Sequence, residues 1–464
     1  MALTKVTYSM INGSSINVLD YGAVGNGSTD CSVAITNALT ACPEYGTVVF
    51  PSGTYVINST ITVPKNNITI DGQGARFLAK ASTNFEYVLV AVSKTNIKVK
   101  NLVVDVNQIN RISGQNIRFM GMGFTGCTDS SFENCTVSNA LGYNSIPAVG
   151  LTLGGSCTRC QLINCVILDC GTATQAADGI FTSGEANLII GCTAANCTDT
   201  AFVIESSNSS GIVGCIARNC SCGAAITNAS ANDKYANFIA GLSVVDWNAV
   251  NTGGIQIGCP LSTSVGYLYD TVVSDVTMSI TTAGRGTGPA IAVTKTGTPK
   301  AIRLTLNNIR IRTASKQGIL VNGDEVSIRG CDISGTTDGC IQFQTGSVGN
   351  FVSGCVMTNG SFGIIVLGNA EVTAESNLLR LQTLYGIYAF NTSQVDSMFN
   401  VVKNPGTDYF GKDGGATLNL VGVLGNVLAV NNATGTVTTG SIVNKFVVSD
   451  KNGTPLGYVP VYNI

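Results

Sequence analysis

Two aspartates stand in similar short phrases one repeat apart. Asp178 lies in "AADGIF" and Asp199 in "CTDTAF", 21 residues on. If successive repeats stack as layers, aligning the phrases sets both carboxyl groups on one face about 4.8 Å apart, with Phe181 level with Phe202. Carboxyl groups that close have pKa values pushed apart: one stays protonated and can donate, the other stays ionised and can accept or attack. Glu205 and Glu185 fall further along the same repeats, and Asp169 on the turn before. Asp178, Asp199 and Glu205 are therefore the candidates for acid and base. An aspartate before glycine is also an ordinary turn residue, so the chemistry requires these acids to share a cleft.

The rest of the composition removes competing chemistries. No histidine occurs in 464 residues, which excludes the commonest general base, the histidine-dependent triads and most zinc sites. Charged residues make up 11% and the net charge is -2, so no basic field exists for a nucleic acid. No apolar run approaches the roughly 20 residues of a membrane-spanning helix, and "MALTKVTYSM" lacks the apolar core of a secretory signal. Seventeen cysteines in a chain long enough to bury a large core read as buried free thiols. Cys157 and Cys160 have metal-ligand spacing, but no second pair completes them. Neither metal nor cofactor is expected.

Those acids need elements to hold them, and the repeat supplies them. "NCTVSNA" from Asn134, "NCVILDC" from Asn164, "GCTAANC" from Gly191, "GCIARNC" from Gly214, "GCDISGT" from Gly330 and "GCVMTNG" from Gly354 share a second position: Cys135, Cys165, Cys192, Cys215, Cys331 and Cys355. Weaker copies place Leu242, Asp275, Asn308, Asn377 and Asn400 there, with a period of 22 to 33 residues. Each unit consists of short runs of Val, Ile, Leu, Thr and Ser broken by Asn and Gly, with no helical period between. Three short strands and three turns need about this length. The fold expected is all-β, a right-handed parallel β-helix of about 11–12 coils with the cysteines stacked inside. Upstream, Ser28 or Thr29 is expected to cap a helix over about 29–41, its apolar face Val33, Ile35, Ala38 and Leu39 covering the open end.

The segment "INVLDYGAVGNGSTDCSVAITNALTAC" followed by "GTVVFPSGTYVINSTITVPKNNITIDGQGA" resembles the N-terminal signature of the pectate-lyase-like superfamily over roughly Ile16 to Ala75. That signature reads D-[YF]-G-A-x-G-[ND]-G-x-T-D, then a helix, G-T-V-x-[FL]-P-x-G-x-Y and D-G-x-G. One departure is Cys31, where the superfamily often has a second acid. "KVTYSMINGSSINVLDYGA" is similar to the neck of bacteriophage tailspikes, and "DKNGTPLGYVPVYNI" to phage tail C-termini. The resemblance implies a neck or attachment segment over 1–19, a β-helix over 20–410, and a small β domain for trimerisation or binding over 411–464. It further implies a receptor-binding spike on the virion tail, made in the host cytoplasm without a signal peptide. Its expected partners are other virion tail proteins, two further copies of itself in an elongated homotrimer, and a bacterial surface polysaccharide.

A sugar polymer suits the long, weakly charged face of such a helix. Tyr143 and Arg159 could bind hydroxyls or acids, with Glu185 beside them, and Asp246 next to Trp247, the single tryptophan, could form a stacking platform with an acid at its edge. The expected function is binding and hydrolytic depolymerisation of capsule, exopolysaccharide or O-antigen. Two alternatives stay open: a spike that only binds, and a polysaccharide lyase, in which a Lys, Arg or Tyr abstracts the proton α to a uronic carboxylate and "KYANF" at Lys234 could serve. Asp338 in "TTDGCI" repeats the Asp178 context without a registered partner and reads as a turn residue.

Overall fold

The computed structural model describes residues 14–111, 115–248, 253–259, 266–295, 301–312, 316–403, 405–413, 415–421, 446–449 and 455–459. Most of the expected neck and much of segment 411–464 lie outside these residues. The chain divides into two compact units, Met1–Ala225 and Ile226–Ile464.

One coil shows how the repeat folds. Gln161–Ile163 runs in the first sheet, Asn164 turns the chain at φ 51°, and Val166–Leu168 runs in the second sheet. A longer turn leads to Ala177–Glu185 in the third, and Ala186 at φ 54° returns the chain to Leu188–Ile190, parallel to Gln161–Ile163. Both units repeat this plan, a right-handed parallel β-helix. Among the described residues the first sheet contributes eight strands to each unit, more coils than the expected 11–12. The difference arises because the earliest levels, at Ser15–Asn17, Thr47–Val49, Ile68–Asp71 and Ile97–Lys100, carry no cysteine phrase.

The single-residue turn between first and second sheets explains the phrase. Its occupants in the first unit include Asn134, Asn164, Gly191 and Gly214, all at φ of 51–62°, a left-handed region that Gly and Asn reach at least cost. The next residue points inward, so Cys135, Cys165, Cys192 and Cys215 form a buried column. The Cys165 and Cys192 amides donate to the Sγ of the following level at 3.4 and 3.3 Å. In the second unit the column runs through Leu242, Val276, Ile309, Cys331, Cys355, Asn377 and Asn400. Asp275 and Asn308 are therefore displaced by one from their expected place: at φ 56° and 50° they occupy the turn, and Val276 and Ile309 enter the core. Cys355 donates its amide to Asn377 Oδ1, and Asn377 to Asn400 Oδ1, both at 2.9 Å, so the amide side chain replaces sulfur as acceptor. All sixteen described cysteines are buried free thiols.

The N-terminal helix spans Ser32–Ala41. Its cap differs from expectation: Asp30 Oδ1, rather than Ser28 or Thr29, accepts from the Ser32 amide and hydroxyl at 3.0 and 2.7 Å. Ile35, Ala38 and Leu39 are buried, but Val33 is 70% exposed and lies off the packed face. At the other end of the chain, Thr417–Val421 still pairs in parallel with Gln394–Met398, so coil pairing runs past residue 411. Phe446–Ser449 and Pro455–Val459 form an antiparallel pair.

Candidate active site

Third-sheet strands begin where the second turn delivers the chain, and both aspartates sit there. Gly171, at φ 84°, allows the close passage of the next coil: a Cβ there would lie 1.8 Å from Thr198 Oγ1, the atom that accepts the Ala177 amide at 3.2 Å. Gly179 does the same inside the wall, where a Cβ would come within 2.5 Å of Ala201 O and 2.9 Å of Ala194 Cβ. Small residues thus let Asp178 and the strand above it run at minimum separation.

The register differs by one residue from that expected. Ile180 pairs with Phe202, Phe181 with Val203 and Thr182 with Ile204, so Asp178 is level with Thr200. The interior enforces this choice: Ile180 and Phe202 are both fully buried while Phe181 is half-buried, and a slip of one would turn Phe202 outward. Phe181 and Phe202 are not a level pair. Asp178 and Asp199 are instead diagonal neighbours on adjacent coils, joined through Thr200. Its amide donates to Asp178 Oδ1 at 3.0 Å and its hydroxyl to Asp199 Oδ1 at 3.4 Å, while the Asp199 amide donates to Ala177 O at 3.1 Å.

Charge and burial act on these acids together. Burial first, then the charges of Asp199 and Glu205, push the Asp178 carboxyl well above the usual range, against the Thr200 amide, which pulls it down. Burial raises Asp199, opposed by its hydrogen bonds to Thr200, and burial raises Glu205 at the end of Thr200–Glu205. All three residues are half-buried. A pair in which one carboxyl is raised strongly and the other is held nearer its ordinary value by hydrogen bonds can both give and take a proton.

Other residues proposed from sequence fall elsewhere. Tyr143 is half-buried in the loop before Ala148–Thr158, closed by paired hydrogen bonds with Ile146; that strand places Val149 level with Asp178, so Tyr143 stands at the same end of the sheet. Glu185 is exposed at the opposite end of its strand. Arg159, beside it, is locked onto Asp129 by two hydrogen bonds of 2.7 and 2.8 Å, which raise the guanidinium and lower the carboxyl. Glu185 and Arg159 therefore stand together at the end of the sheet away from Asp178.

Trp247 is fully buried, with its ring against Gly254, where a Cβ would lie 2.8 Å from Cδ2. It offers no stacking face. Asp246 is 8% exposed and accepts from the amides and hydroxyls of Thr281 and Thr282 at 2.6–2.9 Å. Burial alone would raise its pKa, but these four bonds hold it at about 2. It is a turn anchor, and the expected platform is not present. Sequence reasoning missed Thr200, although the "TDT" around Asp199 was the available signal: a hydroxyl and an amide next to an acid at a strand start.

Residues 15–225 match the family model described as rhamnogalacturonase A/epimerase, pectate lyase-like, and residues 286–447 match that of the right handed beta helix region. Rhamnogalacturonase A of Aspergillus aculeatus is 45% identical over 53 residues, 11% of this chain and 12% of that protein. A probable rhamnogalacturonase A of Aspergillus niger is 33% identical over 81 residues, 15% and 18% of the two lengths. The chain thus spans only 12–18% of the length of these curated relatives. Among solved structures, PfbA, a surface adhesin of Streptococcus pneumoniae, aligns with TM-score 0.53 at 14% identity, covering 97% of this chain and 100% of that one. The catalytic unit of the GH87 alpha-1,3-glucanase of Streptomyces thermodiastaticus aligns at 0.50 and 14%, covering 87% and 68%. These two share the fold.

Proposed function

We propose that this chain is a glycoside hydrolase that degrades a polysaccharide, with its acid and base drawn from Asp178 and Asp199. The supporting observation is the Asp178 carboxyl: it accepts the Thr200 amide and is pushed up by burial and by two neighbouring acids. In this reading Asp178 enters the reaction protonated and donates to the glycosidic oxygen as the bond breaks. Asp199, the diagonal neighbour, takes the ionised role, either attacking the anomeric carbon or activating water; Glu205, at the far end of Thr200–Glu205, acts through its charge on Asp178. Carboxyl separations of about 5 Å go with retention of configuration and about 6.5–9.5 Å with inversion.

The reading extends, on the tailspike resemblance of the N-terminal segment, to a spike of the virion tail, assembled as a homotrimer with other tail proteins and acting on capsule, exopolysaccharide or O-antigen. The matched length of rhamnogalacturonase A agrees with a glycan substrate. Incubating the protein with such polysaccharides and sizing the products tests the chemistry. New reducing ends without 4,5-unsaturated uronates are expected. Unsaturated products would replace hydrolysis by a lyase reaction, and binding without shortening would leave a receptor-binding spike. Light scattering that gives a monomer mass would remove the trimer.

A further inference from the structure

Outside the three long sheets, the second unit carries a short parallel sheet of Lys234–Tyr235, Leu268–Tyr269 and Ala301–Ile302. Its inward residues complete the core: Leu268 and Ala301 are 0% and 1% exposed. Its outward residues do something else. Tyr235 and Tyr269, level with each other, stack at 5.2 Å between centroids and 10° between planes, and Tyr267 tilts against Tyr269 at 5.6 Å. Tyr235 is 43% and Tyr267 38% exposed.

Ions hold the rings of Tyr235 and Tyr269 and the main chain of Tyr267. Asp233 accepts the Tyr235 hydroxyl at 3.3 Å and the Tyr267 amide at 2.8 Å. The Arg303 guanidinium lies 4.8 Å from the Tyr269 ring centroid while bonding both Asp270 oxygens at 2.7 and 2.9 Å. Aromatic rings fixed in position before a ligand arrives lose little entropy on binding.

We propose that this strip is a glycan-binding site that performs no chemistry and takes neutral, hydroxyl-rich sugar chains. The apolar faces of pyranose rings pack on tyrosine, and sugar hydroxyls find carboxylate acceptors and guanidinium or ammonium donors around it. The formal charges of Asp233, Lys234, Asp270 and Arg303 cancel, which removes the electrostatic attraction an acidic polymer would need. Protein partners require about 800 Å² on each side, and three partly covered rings present far less. Rings on two successive levels, Tyr235 on one and Tyr267 and Tyr269 on the next, match instead a ligand itself built from rings. The inference does not depend on the acids of the first unit.

The test is a printed array of neutral and acidic oligosaccharides, probed with the full chain carrying Asp178→Asn so that no glycan is cut. Neutral glycans are expected to bind, and Tyr235→Ala with Tyr267→Ala to weaken that binding about tenfold or more, with an unchanged melting temperature. Tyr235→Phe, which keeps the stack, is expected to retain most of it. The inference is overturned by an array with no neutral glycan bound, by binding to acidic glycans alone, or by binding that survives both alanine substitutions. Loss of cleavage activity elsewhere leaves these outcomes untouched, so the two readings fail separately.

Discussion

Thr200 donates its amide proton to Asp178 Oδ1 at 3.0 Å from the neighbouring coil, and its hydroxyl to Asp199 Oδ1 at 3.4 Å. One residue therefore holds both acids through two different atoms. Replacing Asp178 or Asp199 by Asn keeps an oxygen for Thr200 to donate to and removes the proton or the charge. Cleavage is expected to fall by roughly two or more orders of magnitude in each variant while glycan binding survives. Cleavage at the unmodified rate in both would reduce the pair to a turn ladder.

Stability should respond to pH at the same place. A carboxyl raised by folding contributes stability that is fully present below its ordinary value of 3.8 and lost as pH rises through the folded value. Asp178→Asn should therefore raise the melting temperature at neutral pH, and the gain should vanish below about pH 4. Calorimetry of both proteins from pH 3 to 8 measures it; a gain that does not change with pH contradicts the raised carboxyl.

Asp246 predicts the opposite sign. Its carboxyl is held at about 2, so the stability it contributes is present above 3.8 and is lost as pH falls toward 2. Asp246→Ala removes four acceptor contacts to Thr281 and Thr282 and should cost about 2–4 kcal/mol at neutral pH, with cleavage unchanged once folded. A large loss of activity in a folded Asp246→Ala protein would return this residue to the site.

Gly179→Ala places a methyl 2.5 Å from Ala201 O. The main chain of the next strand must move, and overpacking of this kind costs about 1–3 kcal/mol. The thermal midpoint should drop, and cleavage should drop further than stability alone accounts for, because the displaced strand carries Thr200.

Thiol labelling offers a test of the interior column. Cys165, Cys192 and Cys215 are buried free thiols, at most 1% exposed. Native protein should leave all three unmodified by a maleimide, whereas protein in denaturant should label fully. Rapid labelling in the native state would contradict the packing.

The period and the inward column were legible in the sequence because identical small side chains recur where coils stack. Register within one residue was not. Asn stands on the turn at 308 and in the column at 377, so residue type alone cannot say on which side of the turn it lies. The same ambiguity set Asp199 level with Asp178; burial of Phe202 opposite Ile180 decides it. Trp247 misled for a related reason, since an aromatic beside an acid reads as a sugar platform, yet the ring fills the volume left by Gly254. The tyrosine strip went unseen because its rings come from segments more than thirty residues apart in a part of the repeat without cysteine.

The column has a direction. From Cys331 through Cys355 and Asn377 to Asn400, each level's amide donates forward to the side chain of the level that follows. The next residue of each level donates the other way: the Val356, Leu378 and Val401 amides donate back to the carbonyls of Cys331, Cys355 and Asn377, each at 2.8 Å. Cutting this unit back from either side therefore bares N–H groups that lose their acceptor. Each new end is an adhesive edge, open to the first chain that brings an acceptor.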